Sequence, residues 1–390
     1  MDEFLKNKHF ATRAVHSGRV ERDGTDSVTT PIYPSSTYRV GFPGDESGYV
    51  YSRWSNPTRL ALEQSLASLE NGAYAYAFAS GMAAVHAVTN LLKAGDHVVA
   101  VDDLYGGTMR LFGRLLTEFG LEFSYVDGRD PSNFEKAAKD NTRLFWIETP
   151  TNPLLRLVDI AAAAKIAGPQ GILTVVDNTF ATPYLQQPLS LGADIVHHSL
   201  SKYLAGHCDV IGGALITNDE ALAERLWFNQ YAVGAQLGPF ESWLVLRGLK
   251  TLHLRMERHC DNARRVAEYL SGVDVVDQVF FPGLAGDTLP NNMQGAGGMV
   301  SFSVAAHFEM VKSFVMATKL FVLAESLGGV ESLINHPASM THASIPRELR
   351  ERRGIGDGLI RLSVGLENVD DLIADLAQAF DVLRRGSASR

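Results

Sequence analysis

Lys202 closes the stretch Asp-Ile-Val-His-His-Ser-Leu-Ser-Lys-Tyr, residues 194–203, in which a short apolar run gives way to Ser199, Ser201 and one lysine. Glycines follow at 206, 212 and 213, and the last two open into a second apolar run over 214–217. A lysine set between two buried strands and flanked by hydroxyls is placed for chemistry. Once desolvated, its amine loses a proton and can attack a carbonyl to give a Schiff base. The competing reading lays the lysine stem across an apolar patch and keeps the ammonium in water. Upstream, the run 172–176 reads as a buried strand that delivers Asp177 at its carboxyl end. A carboxylate in that position must be ion-paired or hydrogen-bonded, because an isolated buried charge is costly.

The elements that position these residues follow from hydrophobic pattern. Short β-branched runs at 98–101, 123–126, 144–147, 172–176, 195–196 and 214–217 alternate with helical segments at 108–118, 132–139 and 159–167. Continuous apolar strands separated by helices predict an α/β fold, with a mainly parallel sheet covered on both faces. The strand ends carry Asp102, Asp103 and Tyr105, then Glu148 and Asn152, then Asp177 and Asn178, then Ser199. Open α/β sheets bind ligands beyond the carboxyl ends of their strands, so these residues converge on one crevice. Ser80-Gly81-Met82 opens a further helix over 83–92. Free N–H groups at such a start suit an anion, although an ordinary helix cap has the same sequence. There is no Gly-x-Gly-x-x-Gly after the first strand and no P-loop, so nucleotide binding lacks its usual signature.

Around this centre the first fifty-odd residues read as an irregular arm, with Pro31 and Pro34 among serines and threonines. An arm of that length suits wrapping a partner subunit. A helix over 59–69 then carries Leu62, Leu66 and Leu69 on one face. Helices are expected over 220–227 and 241–270. Beyond them lies a smaller domain with strands over 275–280, 299–304 and 359–364 and helices over 309–324 and 371–383. A polar tail, 384–390, is expected to fray. The implied boundaries are 1–57 for the arm, 58–250 for the large domain and 251–390 for the small one.

The net charge of −9 argues against nucleic acid or an anionic membrane as the main partner. Two cysteines, Cys208 and Cys260, suit a reducing compartment. Residues 1–9 lack the apolar core of a secretion signal, and no apolar run is long enough to span a bilayer. A soluble, cytoplasmic protein is expected.

The chain resembles the transsulfuration branch of the pyridoxal-phosphate enzymes along residues 10–380. The motifs that carry the resemblance are Tyr51-Ser52-Arg53 with Asn56-Pro57-Thr58, Ser80-Gly81-Met82, Asp103-Leu104-Tyr105-Gly106-Gly107-Thr108, Glu148-Thr149-Pro150-Thr151-Asn152-Pro153, Val176-Asp177-Asn178-Thr179, Ser199-Leu200-Ser201-Lys202-Tyr203 and Arg361-Leu362-Ser363-Val364-Gly365. The resemblance implies the fold-type I architecture of pyridoxal-phosphate-dependent transferases, with a smaller C-terminal α/β domain. It also implies pyridoxal 5′-phosphate as cofactor, a small amino-acid substrate and no metal. Lys202 would hold the cofactor aldehyde and then shuttle protons. Asp177 would face the ring nitrogen, and Tyr105 would stack on the ring and act in proton transfer. Gly81, Met82, Ser199 and Ser201 would hold the phosphate, joined by Tyr51 and Arg53 from a neighbouring subunit in a homotetramer built from two site-sharing dimers. Arg361, Asn152 and Ser326 would bind the substrate carboxylate, with Glu325 and Arg110 near its distal end.

Two positions speak to the reaction. Glu325 matches a glutamate typical of γ-lyases and γ-synthases acting on cystathionine or an acylhomoserine. Gly107 stands where methionine γ-lyases usually carry cysteine. The resemblance therefore favours γ-elimination of cystathionine, then γ-replacement on O-succinyl- or O-acetylhomoserine. β-Lyase, sulfhydrylase and methionine γ-lyase activities rank behind. The connection over 283–298 is shorter than the family usually has.

Overall fold

The β-branched runs form the middle of a seven-stranded sheet in a computed structural model that describes residues 4–19, 27–45, 47–284, 286, 288–343 and 345–387. In chain order the first elements are α1 (Phe10–His16), α2 (Pro57–Leu69), β1 (Tyr74–Phe78), α3 (Gly81–Thr89), β2 (His97–Val101), α4 (Gly106–Arg110) and β3 (Glu122–Val126). Then come α5 (Ser132–Ala137), β4 (Thr142–Glu148), α6 (Ile160–Ala167), β5 (Leu173–Asp177), α7 (Thr182–Leu185), β6 (Ile195–Ser199) and β7 (Gly213–Thr217). Helices α8 (Glu220–Val233), α9 (Pro239–Leu249) and α10 (Leu252–Ser271) lead to the second sheet. Its elements are β8 (Val276–Phe280), β9 (Met299–Val304), α11 (Phe308–Ala317), β10 (Val322–Leu323), β11 (Leu333–Asn335), α12 (Arg347–Arg352), β12 (Leu359–Ser363) and α13 (Val369–Ser387).

The large sheet runs β1-β7-β6-β5-β4-β2-β3, and the small one β10-β11-β12-β9-β8. Strands β2 to β6 pair in parallel, as their unbroken apolar runs predict. Two apolar clusters cover the large sheet. One holds Val98, Phe112, Phe145 and Trp146; the other holds Leu62, Ala77, Tyr203, Leu249 and Met256. Strand β7 is an exception to the parallel pattern, because it runs antiparallel to both β1 and β6. An antiparallel return needs no crossover helix. The β6–β7 connection, 200–212, therefore lies as a loop across the carboxyl ends of the parallel strands, and Lys202 sits in it.

Several expected elements differ. Strand β1 is absent from the predicted set because its Tyr-Ala-Tyr-Ala-Phe sequence alternates aromatic residues with alanine, a weak strand former. The irregular arm contains α1, which packs on α2; its residues 1–3, 20–26 and 46 lie outside the described residues. The helix expected over 108–118 starts at Gly106 and widens into a π-helical turn over Leu111–Leu116. The helix expected over 241–270 is two helices, separated at Lys250 and Thr251. The one expected over 309–324 stops at Ala317. There the buried Asp375 carboxylate accepts the N–H groups of Lys319, Leu320 and Phe321 at 2.8–3.1 Å, which turns the chain into β10. The polar tail expected from 384 continues α13 to Ser387.

In the short 283–298 connection, residues 285 and 287 lie outside the described set. Asn291 there has a left-handed backbone, accepts the N–H of Ile160 at 2.9 Å and donates to the carbonyl of Val158 at 2.7 Å. The segment is thus pinned to the start of α6. Among the described residues no helix is long and apolar enough to cross a membrane.

Arg255, in α10, holds the Lys202 loop. Its guanidinium donates to the carbonyls of Tyr203 at 2.6 Å and Gly248 at 2.8 Å, and its Nε to the Thr251 hydroxyl at 3.1 Å. Burial pushes this arginine down to about 10. Gly206, at φ +76°, leaves room for it, since a Cβ there would run into the guanidinium. Arg255→Met removes the guanidinium donors from the carbonyls of two buried residues, Tyr203 and Gly248. It is expected to lower unfolding stability by about 3 kcal/mol in a denaturant titration. An unchanged midpoint would show that the loop is held by its other contacts.

Candidate active site

The carboxyl ends of β4, β5 and β6, the start of α3, the Lys202 loop, residues 324–327 and β12 enclose a cavity of about 630 Å³. Eleven of the residues singled out by sequence line it: Gly81, Met82, Tyr105, Asn152, Asp177, Ser199, Ser201, Lys202, Glu325, Ser326 and Arg361. A second cleft of about 900 Å³, between α1 and α2, gathers no comparable set of ionisable side chains from different strands.

Lys202 points its Nζ at the hydroxyl of Ser326, 2.5 Å away. Burial lowers the amine to about 8, with the Arg361 charge acting in the same direction and Cys208 and Glu325 opposing it. An amine this far below an ordinary lysine is partly neutral near physiological pH, as a nucleophile or base must be. Ser326 is a hub. Its backbone has φ +82°, a strained value for a residue with a Cβ, and its carbonyl accepts from Arg361 at 2.9 Å.

Arg361 is only 1% exposed and donates its other Nη to Asn152 Oδ1 at 2.7 Å. Asn152 is carried by a loop containing cis peptides at Thr149–Pro150 and Asn152–Pro153. Burial brings this arginine to about 10, although Glu325, Tyr203 and Tyr105 favour its charge. Its acceptors are neutral, and among the described residues it makes no ion pair, which rules out the domain-surface ion pair as its role. Its Nε has no protein partner. A buried, planar cation with unused donor capacity suits a carboxylate.

Asp177 ends β5. One oxygen accepts the N–H and hydroxyl of Thr179, at 3.1 and 2.6 Å; the other lies 3.0 Å from Nδ1 of His197. Burial works against the Asp177 charge, but His197 and the Thr179 donors hold its carboxyl below the usual range. Glu148, its register partner on β4, accepts the N–H of Tyr105 at 2.8 Å. Burial and the neighbouring Asp177 charge push Glu148 well above the usual range.

Opposite, the Ser80 hydroxyl caps α3 through Ala83 N at 3.0 Å, and helix geometry leaves the N–H groups of Gly81 and Met82 without an intrahelical acceptor. A Cβ on Gly81 would press on Ser199 at 3.2 Å, and one on Gly213 would run into the carbonyl of Ser80. Two glycines thus let this helix start close against β6 and β7, beside the hydroxyls of Ser199 and Ser201. The corner fits a bound anion such as a phosphate. Tyr105, 42% exposed, leans over the entrance, and a Cβ on Gly107 would collide with its ring. Among the described residues no cluster of histidine, cysteine or carboxylate side chains is arranged to hold a metal ion.

Three expected site residues lie outside this cavity. Arg53 donates to the carbonyl of Tyr231 at 2.8 Å and stands 5.6 Å from the ring of Tyr51, on the exposed arm. Arg110 is exposed on α4. Conversely, His197 and Thr179 lie within matched or quoted stretches without being singled out. Strand alternation is the available signal, because it puts His197 and Ser199 on one face of β6.

The family model described as Cys/Met metabolism PLP-dependent enzyme matches residues 11–381. The chain is 50% identical over 374 residues to a cystathionine beta-lyase of Lactococcus lactis subsp. cremoris, covering 95% of this chain and 98% of that protein. It is equally similar, 50% over 374 residues with the same coverage, to a cystathionine gamma-lyase of Bacillus subtilis. Among solved structures it is similar to cystathionine gamma-lyase from Lactobacillus plantarum complexed with L-serine, with a TM-score of 0.93, 46% identity and coverage of 97% of this chain and 100% of that one. The large and small sheets are those of a fold-type I enzyme of this kind, whose typical activity is that of a carbon–sulfur lyase or transferase. With matches along nearly its whole length, the chain belongs to the Cys/Met-metabolism family of pyridoxal-phosphate-dependent enzymes.

Proposed function

We propose that this protein is a cystathionine γ-lyase. It takes up L-cystathionine and one water and releases cysteine, 2-oxobutanoate and ammonia. The observation that carries this reading is Glu325, whose carboxylate lines the cavity and acts electrostatically on both Lys202 and Arg361. Cystathionine has a second amino-acid end whose ammonium matches a carboxylate, whereas methionine has no such group to offer. Gly107 supports the same choice, because the Tyr105 ring lies where a larger side chain would reach.

Pyridoxal phosphate fits the residues present. Its phosphate would be held by the N–H groups of Gly81 and Met82 and the hydroxyls of Ser199 and Ser201. Asp177 would meet its ring nitrogen, Tyr105 its ring face and Lys202 its aldehyde. Bound there, the cofactor supplies an electron sink that makes the substrate Cα–H acidic. Arg361, steadied by Asn152 and Ser326, grips the α-carboxylate and fixes which hydrogen faces Lys202. The Lys202 amine, on a flexible stem, removes the protons at Cα and Cβ whose loss lets cysteine leave from Cγ. The Ser326 hydroxyl, 2.5 Å from that amine, steadies it when it acts as a free base, and Tyr105 in the cavity wall serves proton transfer beside it.

The exposed pair Tyr51 and Arg53 completes the phosphate site of a neighbouring copy in this reading, within a homotetramer of site-sharing dimers. Both lie beside an exposed aromatic patch, in which the rings of Trp54 and Tyr231 stack 5.8 Å apart.

A second reading, β-elimination to homocysteine, pyruvate and ammonia, draws on the equal similarity to a named β-lyase. The purified enzyme, offered cystathionine, is expected to release 2-oxobutanoate and cysteine. Predominant pyruvate and homocysteine would transfer the assignment to a β-lyase. Efficient cystathionine formation from cysteine and an O-acylhomoserine, with little cleavage, would make it a γ-synthase.

In the cofactor-stripped enzyme, the rate at which an amine-directed reagent labels Lys202 is expected to climb through about pH 8, since only the neutral amine attacks. Exposed lysines should climb near their ordinary value, about 10.4. Peptide mapping reads both, and coincident profiles would refute a lowered Lys202. Subunit sharing is tested by mixing Lys202→Ala with Arg53→Ala chains. Hybrid dimers can contain one intact site, so activity is expected to return after subunit exchange. No recovery in proven hybrids would confine each site to one chain.

A further inference from the structure

Two buried carboxylates meet at the edge of the large sheet. Asp177 ends β5, Glu148 ends β4, and they are register partners. Two adjacent buried carboxylates oppose one another's ionisation unless a cation serves them. Lys202 and Arg361 line the same cavity, but among the described residues neither is ion-paired to Asp177 or Glu148. His197 faces only one of the two.

His197 is 3% exposed and is the register partner of Asp177 on β6. Its Nε2 lies 3.0 Å from the carbonyl oxygen of Gly81, an atom that can only accept, so Nε2 carries a proton. Its Nδ1 lies 3.0 Å from Asp177 Oδ2. The other Asp177 oxygen takes both donors of Thr179. One Asp177 oxygen therefore holds both Thr179 donors, and the other has the His197 ring in contact as a cation, because with Nε2 protonated the Asp177 charge favours the imidazolium. Glu148 receives the backbone N–H groups of Tyr105 and Asn152, among the described residues has no cation at ion-pair distance, and has Asp103 as a further negative neighbour.

We propose that His197 is a positioning residue that assigns the negative charge of this wall to Asp177, leaves the proton on Glu148, and ties the charged carboxylate to the first turn of α3. The inference rests on reading Asp177 as the partner of the cofactor ring nitrogen. That role requires the carboxylate form, and the Gly81 contact joins it mechanically to the corner read as the phosphate site. Without His197, two carboxyls compete for one proton, and Asp177 is protonated part of the time.

The test uses full-length His197→Leu, His197→Gln, Asp177→Asn and the double variant His197→Leu/Glu148→Gln, each checked by circular dichroism. Two quantities are read: the affinity of the stripped enzyme for pyridoxal phosphate, by fluorescence titration, and the visible absorption of the loaded enzyme. Both single His197 variants are expected to lose about tenfold in affinity and to shift the absorption in the direction given by Asp177→Asn. Adding Glu148→Gln to His197→Leu should return both readings towards wild type, because one carboxyl then holds the charge without competition. Loss of packing alone would not be mended by a change at Glu148. His197 variants with wild-type affinity and absorption, or a double variant no better than His197→Leu, would overturn the assignment. Should the leucine variant not fold, wild-type readings from His197→Gln would overturn it equally. An Asp177→Asn enzyme that binds and absorbs as wild type would instead fell the ring-nitrogen reading beneath it.

Discussion

Everything at the carboxyl edge of the large sheet depends on a loop with no regular structure, held by a guanidinium that among the described residues pairs with no carboxylate. Arg255 spends its donors on the carbonyls of Tyr203 and Gly248 and on the Thr251 hydroxyl. Those carbonyls belong to the Lys202 loop and to the end of α9, so one side chain joins the loop to the helices behind it. The antiparallel turn-back from β6 to β7 makes the loop necessary. A parallel crossover would have carried the chain away to a helix and left the strand ends uncovered.

A consistent electrostatic pattern follows. The cations nearest the cavity, Lys202 and Arg361, rest on hydroxyl, amide and carbonyl oxygens. Neutral acceptors hold a charged group in place without cancelling its charge. Burial lowers both groups, so each is less firmly protonated than in water. The anionic side is arranged differently, because Asp177 does have an ionic neighbour in His197. Among the described residues these two cations make no ion pair while Asp177 has one, so the wall around Lys202 and Arg361 attracts negative groups of a ligand, with Glu325 as the opposite charge in the lining. That polarity agrees with a phosphate at α3 and a carboxylate at Arg361.

Much of this was legible in the sequence because its signals are local. The continuous apolar runs over β2 to β6 mark strands buried on both faces, and residues past the runs, Asp177, Asn152 and Ser199, fall at the carboxyl edge that bounds the cavity. The failures share a physical cause, which is dependence on a distant or absent partner. Helix α11 stops at Ala317 because a carboxylate more than fifty residues later, Asp375, captures the next N–H groups. Strand β1 is recognisable only through its pairing with β7. His197 owes its importance to strand register, which sets it beside Asp177 and under Gly81. Tyr51 and Arg53 lie away from the cavity of their own chain, so any part they take needs a second copy.

On the proposed reading, Lys202, Asp177 and the α3 corner serve chemistry common to the family, and they cannot separate one reaction from another. Discrimination has to come from groups that only some substrates satisfy. Tyr105 and Gly107 act as one feature here, since the ring occupies the space that a side chain at 107 would need. Glu325 is the more decisive partner on the proposed reading. Glu325 lines the cavity from an exposed position, so on this reading it favours a ligand with a distal ammonium by attraction and leaves an apolar tail without that gain. The equal similarity to a β-lyase and a γ-lyase is then unsurprising, because cystathionine satisfies both the carboxylate grip and the distal charge in either orientation. On the proposed reading, the bond that breaks is decided by which half of the substrate Arg361 grips and by how far the Lys202 amine can travel along it.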